Sequence, residues 1–173
     1  MKRMIFVLVS FLLLTACGSF YDEEGFELAK GYFDEIVKEV NDAHLAITSK
    51  LPEEFDESLI KYAENIREIN GRYWDGITFG GKYDSANMSK WKIKMSRGGD
   101  EWVIDGKKLS DALAGMYLYS DWLADDIERI LEELTEENLR QLVDSLKLTQ
   151  ESASELKAIF LNDKPFFEFK PRQ

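Results

Sequence analysis

The sequence predicts a mainly α-helical fold, organised as a single domain of about five helices with a small inserted β-hairpin. Two observations support this prediction. Apolar residues recur three and four positions apart along most of the chain after residue 22, which is the spacing of the buried face of a helix. Residues 71–106 interrupt this pattern: they hold seven of the eleven glycines, and part of the segment alternates polar and apolar residues like a half-buried strand.

The first two helices are predicted over residues 23–49 and 53–70. Within the first, Gly31 is expected to permit close contact with another helix. Pro52 separates the two helices, because proline disfavours helical geometry in the residue before it. An Asn-Gly pair at positions 70–71 predicts the end of the second helix, since both residue types tolerate the left-handed conformation of a helix cap.

The hairpin is predicted over residues 90–105, with Gly98 and Gly99 as its two-residue loop. In this register apolar residues oppose one another on one face, and opposite charges meet on the other. The predicted pairs are Met95 with Trp102, Ile93 with Ile104, and Lys92 with Asp105. A further short hairpin is predicted from residues 77–79 and 82–83.

The second half of the chain predicts three more helices. Ser110 and Asp111 are predicted to open the first of them, which continues to Leu134. Thr135 and Thr149 are predicted to cap the next two, because a threonine side chain can accept a hydrogen bond from the first turn. The aromatic tail at 165–171 is bounded by prolines, which indicates an edge strand or an extended arm.

The N-terminus carries the most specific motif. Basic residues at positions 2 and 3 precede an almost unbroken apolar run over residues 4–14, which is too short to span a bilayer. Small residues at positions 15 and 16 then precede Cys17, the only cysteine. Residues 1–17 resemble the signal peptide and lipobox of bacterial lipoproteins.

That resemblance implies that Cys17 receives a diacylglycerol on sulfur, that residues 1–16 are removed, and that the new amine is acylated. Residues 17–21 would then form a short lipidated tether, and residues 22–173 a helical periplasmic domain. Gly18 stands where an aspartate would favour retention in the inner membrane. The expected location is therefore the cell envelope, at the periplasmic face of the outer membrane if the organism has two membranes.

The charge of the chain bears on its partners. The formal net charge is −11, and it becomes −13 once the two basic residues of the signal are removed. This balance argues against nucleic acid as a partner, and against broad electrostatic adhesion to anionic lipid, so attachment is expected from the acyl chains. With Cys17 acylated no thiol remains, and no cofactor or metal ion is predicted.

An acidic run over residues 121–137 allows two interpretations. It can be a solvated helix face, since Arg129 and Arg140 each follow a carboxylate by four residues. It can instead be a docking surface for a basic partner. The second interpretation assigns binding to three residues: Asp125, Glu128 and Glu132.

Aromatic residues among the glycines of residues 71–106 also allow two interpretations. They can cover a helical core, or they can form a binding surface that includes Trp74 and Tyr83. The single histidine, His44, does not predict catalysis, because a catalytic histidine requires an activated nucleophile and an orienting carboxylate.

These observations predict a lipid-anchored envelope lipoprotein that acts without catalysis, as a module that binds another protein. One specific form is an immunity protein that neutralises a toxin. The alternative is an envelope enzyme that acts on cell-wall glycan or lipid through carboxylates. Buried, converging carboxylates in a pocket would favour the enzyme, and a flat acidic or aromatic patch would favour binding.

Overall fold

A computed structural model describes residues 23–77 and 85–162 of the chain. The signal segment, Cys17, Tyr83, most of the second predicted hairpin and the aromatic tail lie outside these residues. In order, the elements are α1 (Glu23–Thr48), α2 (Ile60–Ile77), α3 (Ser85–Met88), β1 (Lys92–Arg97), β2 (Asp100–Asp105), α4 (Gly106–Glu132) and α5 (Glu136–Leu161). The mainly α-helical fold with an inserted β-hairpin is therefore confirmed. None of the helices that the structure describes is long and apolar enough to cross a membrane.

The contact between α1 and α2 depends on glycine, as predicted for Gly31. A Cβ atom at Gly31 would lie 2.9 Å from the hydroxyl of Tyr73, so a larger residue at this position would require the side chain of Tyr73 to move. Gly76 on α2 meets Leu28 on α1 in the same way. The two helices are antiparallel, since the end of α2 contacts the beginning of α1.

The prediction for the second helix is wrong at both ends. Two short 3-10 turns, Pro52–Glu54 and Glu57–Leu59, precede α2, which begins only at Ile60. The helix also continues past Asn70 because that side chain is buried and bonded to neighbouring helices instead of capping its own.

The hairpin has the predicted register. Lys92 lies opposite Asp105, Ile93 opposite Ile104, and Met95 opposite Trp102. The loop glycines have φ angles of 62° and 95°, in the region where glycine has no steric penalty.

Helix α4 begins four residues before the predicted Ser110. The side chain of Asp105 accepts hydrogen bonds from the backbone N–H groups of Lys107 and Lys108, at 3.0 and 3.3 Å. The last residue of the hairpin is therefore also the N-cap of α4. Gly106 follows it where a Cβ atom would overlap the carbonyl oxygen of Met88.

The last two predicted helices are one continuous helix, α5. Thr135 caps it as predicted, and its hydroxyl accepts from the N–H of Asn138 at 3.1 Å. The prediction for Thr149 is wrong: its buried hydroxyl lies 2.5 Å from the carbonyl of Ser145 and 3.2 Å from that of Tyr119. Because these carbonyls are acceptors for its hydroxyl, Thr149 does not cap a new helix, and α5 continues through this position.

Two contacts bring the hairpin to the same end of the bundle as the beginning of α1. The rings of Phe26 and Phe160 are 5.9 Å apart, so the first turn of α1 lies beside the last turn of α5. The indole N–H of Trp102 donates to the carbonyl of Ile159 at 3.1 Å, which places β2 at that same end. We call this the hairpin end; the opposite end holds the 3-10 turns and the loop between α4 and α5.

Candidate functional site

A cleft of about 290 Å³ lies between α4 and α5. The residues that line it recur three and four positions apart on each helix, so each helix presents one face to the cleft. They are Trp122, Asp125, Asp126 and Arg129 on α4, and Gln141, Asp144, Ser145 and Leu148 on α5. Because these residues belong to the second half of α4 and the first half of α5, the cleft lies away from the hairpin end.

Arg129 and Asp126 form the polar centre of the cleft. The guanidinium of Arg129 donates to Asp126 at 2.8 Å and to Gln141 at 2.7 Å, so it bridges the two helices. Asp126 is only 7% exposed. Burial raises the pKa of its carboxyl group, while the hydrogen bond with Ser145 and the charge of Arg129 oppose that rise.

Trp122 and Asp144 are two of the exposed residues that line the cleft. The indole of Trp122 is 45% exposed although it is a large apolar group, and its ring meets that of Tyr119 edge-on at 5.5 Å. Asp144 is exposed, and the salt bridges of the described residues do not include it. A cleft that offers both an aromatic face and a carboxylate outside any salt bridge can accept a cationic group through an ion pair and a cation–π contact.

Arg67 on α2 changes the interpretation of the acidic run. Its guanidinium binds Asp125 at 2.7 Å and also binds Glu128, and the hydrogen bonds to these carboxylates raise the pKa of Arg67. Two of the three predicted acidic binding residues are therefore already paired within the protein, where they join α2 to α4.

The structure does not bring the predicted binding residues together. Asp125 lines the cleft, Glu128 faces α2, and Glu132 is exposed at the last turn of α4. Trp74 belongs to α2, and its side chain is outside the described part of the structure, as is the whole of Tyr83.

The sequence prediction missed the residues that α5 contributes. The spacing of Gln141, Asp144 and Leu148 matches that of Trp122, Asp125 and Arg129, and this match was the available signal. It could not show that the two faces oppose each other, because that depends on how the helices pack.

A broader groove of about 650 Å³ lies between α1 and α2. There Asn65 donates to Glu39 at 2.9 Å, and the ammonium group of Lys61 lies 4.7 Å from the ring centre of Tyr62. The charged groups of Glu39 and Lys61 are thus each engaged with a neutral side chain of the groove. The cleft between α4 and α5 is the better candidate, because only there does a buried carboxylate accompany an exposed aromatic ring.

Among residues 23–77 and 85–162, no three His, Cys, Asp or Glu side chains are arranged to hold a metal ion. His44 lies on α1, and its Nδ1 atom is buried without a hydrogen-bond partner in the described structure.

Comparison with protein-family models, characterised proteins and solved structures found no match to this chain.

Proposed function

We propose that this chain is a lipid-anchored protein of the bacterial envelope that binds a protein partner through the cleft between α4 and α5. The observation that carries the proposal is that this cleft is lined both by the exposed indole of Trp122 and by the exposed carboxylate of Asp144. The lipobox-like residues before Cys17 support the location. The excess of acidic residues supports a partner with a basic surface.

The local charge of the cleft agrees with a cationic ligand group. Three carboxylates line it, those of Asp125, Asp126 and Asp144, against the single guanidinium of Arg129. Arg67 neutralises Asp125 from outside, and Arg129 neutralises Asp126. Asp144 forms no salt bridge within the described residues, and Arg140, on which its charge also acts, is bonded to Glu137 instead. The carboxylate of Asp144 is therefore the one available to a lysine or arginine of the partner.

Substitutions in the cleft test this proposal by capture from an envelope extract and by kinetics with the captured partner. Asp144→Asn should lower the association rate constant about two- to fivefold at low salt, with a smaller effect at high salt. Trp122→Ala should raise the dissociation constant about tenfold or more, because exposed aromatic residues at interfaces carry much of the binding energy.

Glu64→Gln is the matched control, because Glu64 is an exposed carboxylate on α2, away from the cleft. It should leave both constants unchanged. If all three substitutions had equal effects, or if none had an effect, the result would contradict a contact between the partner and this cleft.

A specific form of the proposal is an immunity protein that neutralises a toxin in the envelope. In that case the captured partner is a toxin, and expression of this chain protects cells against it. Loss of protection in the Trp122→Ala variant, with unchanged protein level, would connect the function to the cleft.

One observation favours the alternative, an envelope enzyme acting on glycan or lipid. Asp126 is a buried carboxyl group in a cleft, and burial raises its pKa, as general acid catalysis requires. We prefer the binding function to the enzyme because the carboxylate of Asp126 already accepts a hydrogen bond from Arg129. Turnover of peptidoglycan or phospholipid by the purified protein, abolished by Asp126→Asn, would establish the enzyme instead.

A further inference from the structure

The middle of α4 exposes apolar side chains where a surface helix usually carries charged ones. Residues 112–120 contain no charged residue, yet Leu118 is 43% exposed and Trp122 is 45% exposed. Ala114, Leu118 and Trp122 are spaced four positions apart, so they follow one row over about 12 Å of the helix. Together with Gly115 and Tyr119, which lie beside this row, they form a surface that we call the apolar strip.

The apolar strip continues the cleft between α4 and α5. A Cβ atom at Gly115 would lie 3.5 Å from the hydroxyl of Ser152, and the hydroxyl of Thr149 donates to the carbonyl of Tyr119 at 3.2 Å. The strip therefore runs along the contact between the two helices. Trp122 belongs both to the strip and to the lining of the cleft, so the two form one surface that extends toward the hairpin end.

Carboxylates border the apolar strip on both sides. On α5 they are exposed and lie seven and four positions apart, on one side of the helix: Asp144, Glu151 and Glu155. On the side of α2, Asp121 follows Leu118 by three positions. The cations near these borders are fewer. Arg67 and Arg129 are each bonded to carboxylates within the protein, and residues 141–156 of α5 contain one cation, Lys147.

These features determine which kind of segment fits the strip. The backbone groups of α4 are bonded within the helix, so an extended peptide placed on the strip would bury its own backbone groups without partners. A helix satisfies its backbone internally, and residues three and four positions apart give it an apolar face. Lys or Arg beside that face would meet both acidic borders. A second copy of this chain, or anionic headgroups, would instead bring negative charges together.

We infer that the apolar strip binds an amphipathic helix of the partner, with an apolar face bordered by Lys or Arg on both sides. The inference rests on the proposed function of the cleft and adds the kind of segment that the partner contributes. The apolar face of that helix packs on Leu118 and Trp122, and one of its cations reaches Asp144 in the cleft. The contact therefore extends over both the strip and the cleft.

The test uses the full chain in cells of its own host, with the photoreactive residue p-benzoylphenylalanine at one position at a time. Position 118 probes the strip, and position 122 probes the cleft. Position 45 is the matched control, because Leu45 is an exposed leucine on another helix, at 65% exposure. After irradiation, mass spectrometry identifies the crosslinked segment.

We expect positions 118 and 122 to crosslink to the same segment of a second protein, with a yield at least about tenfold above that at position 45. Apolar residues in that segment should recur three and four positions apart, with Lys or Arg on both sides of them. Glu151→Gln with Glu155→Gln should lower the yield at position 122 about two- to tenfold. Glu53→Gln with Glu64→Gln removes the same charge from exposed positions elsewhere and should leave the yield unchanged.

Several results would overturn the inference. At position 118 they are a crosslink to lipid, to a second copy, to residues 163–173 of the same chain, or to a segment without the helical pattern. An equal yield at position 45, or an equal effect of the two pairs of substitutions, would overturn it as well. A protein crosslink at position 122 without one at 118 would remove the strip and leave the proposed function, whereas the absence of protein crosslinks at both would remove the two together.

Discussion

Asn70 joins three helices through one buried amide. Its carbonyl oxygen accepts from the hydroxyl of Tyr32 on α1 at 2.9 Å, and its amide nitrogen donates to Ser120 on α4 at 3.1 Å. Both partners are buried, so neither can replace its hydrogen bond with one to water if the amide is lost. Burial also raises the pKa of Tyr32, which keeps its hydroxyl protonated as a donor.

Asn70→Ala should therefore lower the free energy of unfolding by about 1–3 kcal/mol, because it removes the acceptor of the buried Tyr32 hydroxyl. The measurement is urea denaturation followed by circular dichroism. Asn65→Ala is the control: its amide bonds to Glu39 at the surface, so the change should be within about 0.5 kcal/mol. Equal losses at the two positions would contradict the role of Asn70.

Two glycines should respond to alanine in opposite directions. At Gly106 an added methyl group would overlap the backbone of Met88, and the resulting shift should cost about 1–3 kcal/mol. Gly71 lies within α2 with no atom within 4 Å of an added Cβ, so Gly71→Ala should stabilise by about 0.5–1 kcal/mol. Thermal unfolding of both variants would check this. A Gly106→Ala variant that is not destabilised would contradict the packing at Gly106, and a destabilised Gly71→Ala variant would contradict the open space at Gly71.

At the scale of elements, Asp105 couples the hairpin to α4. The side-chain hydrogen bond from Lys92 lowers the pKa of Asp105, and the N–H groups of Lys108 and Lys107 lower it further. A carboxyl group whose pKa is lowered by folding stabilises the folded state above its unfolded pKa of about 3.9. That contribution is lost as the pH falls through the lowered pKa.

Asp105→Ala should therefore reduce the urea midpoint at pH 7, and the difference from the unmodified protein should shrink as the pH is lowered below about 4. Asp105→Asn keeps an oxygen that can cap the helix but loses the charge. Its urea midpoint at pH 7 should therefore lie between those of the unmodified protein and of Asp105→Ala. A difference that stays constant with pH would show that the charge of Asp105 contributes nothing.

The elements that the sequence predicts best are those whose partners are near in the chain. The hairpin register follows from residues at most 13 positions apart, such as Lys92 and Asp105, so local alternation determines it. Asn70, Thr149 and the start of α4 were predicted wrongly because each has the composition of a helix boundary. Tertiary hydrogen bonds to Tyr32 and Tyr119, and the cap by Asp105, decide the outcome instead.

The candidate site was predicted less well for the same reason. Asp125 was identified, but Trp122 and Asp144 join it only because α5 folds back along α4. The pairing of Glu128 with Arg67 is equally invisible in sequence, since 61 positions separate the two residues. A charge pattern predicts that a helix face is acidic, and packing determines which of its carboxylates remain available.

At the scale of the whole molecule, the cleft and the beginning of α1 lie at different ends of the bundle. The cleft lies in the half that ends at the loop between α4 and α5, and α1 begins at the hairpin end. We propose that this arrangement presents the cleft to a partner while the other end lies at the membrane. The proposal depends most on the covalent state of Cys17.

The most direct test of this account is the intact mass of the protein extracted from membranes of its own host. We predict a chain that begins at Cys17 and carries a thioether-linked diacylglycerol with an acylated amine, while Cys17→Ala leaves the unprocessed precursor. A mass that corresponds to residues 1–173, or to any chain with an unmodified Cys17, would contradict the account.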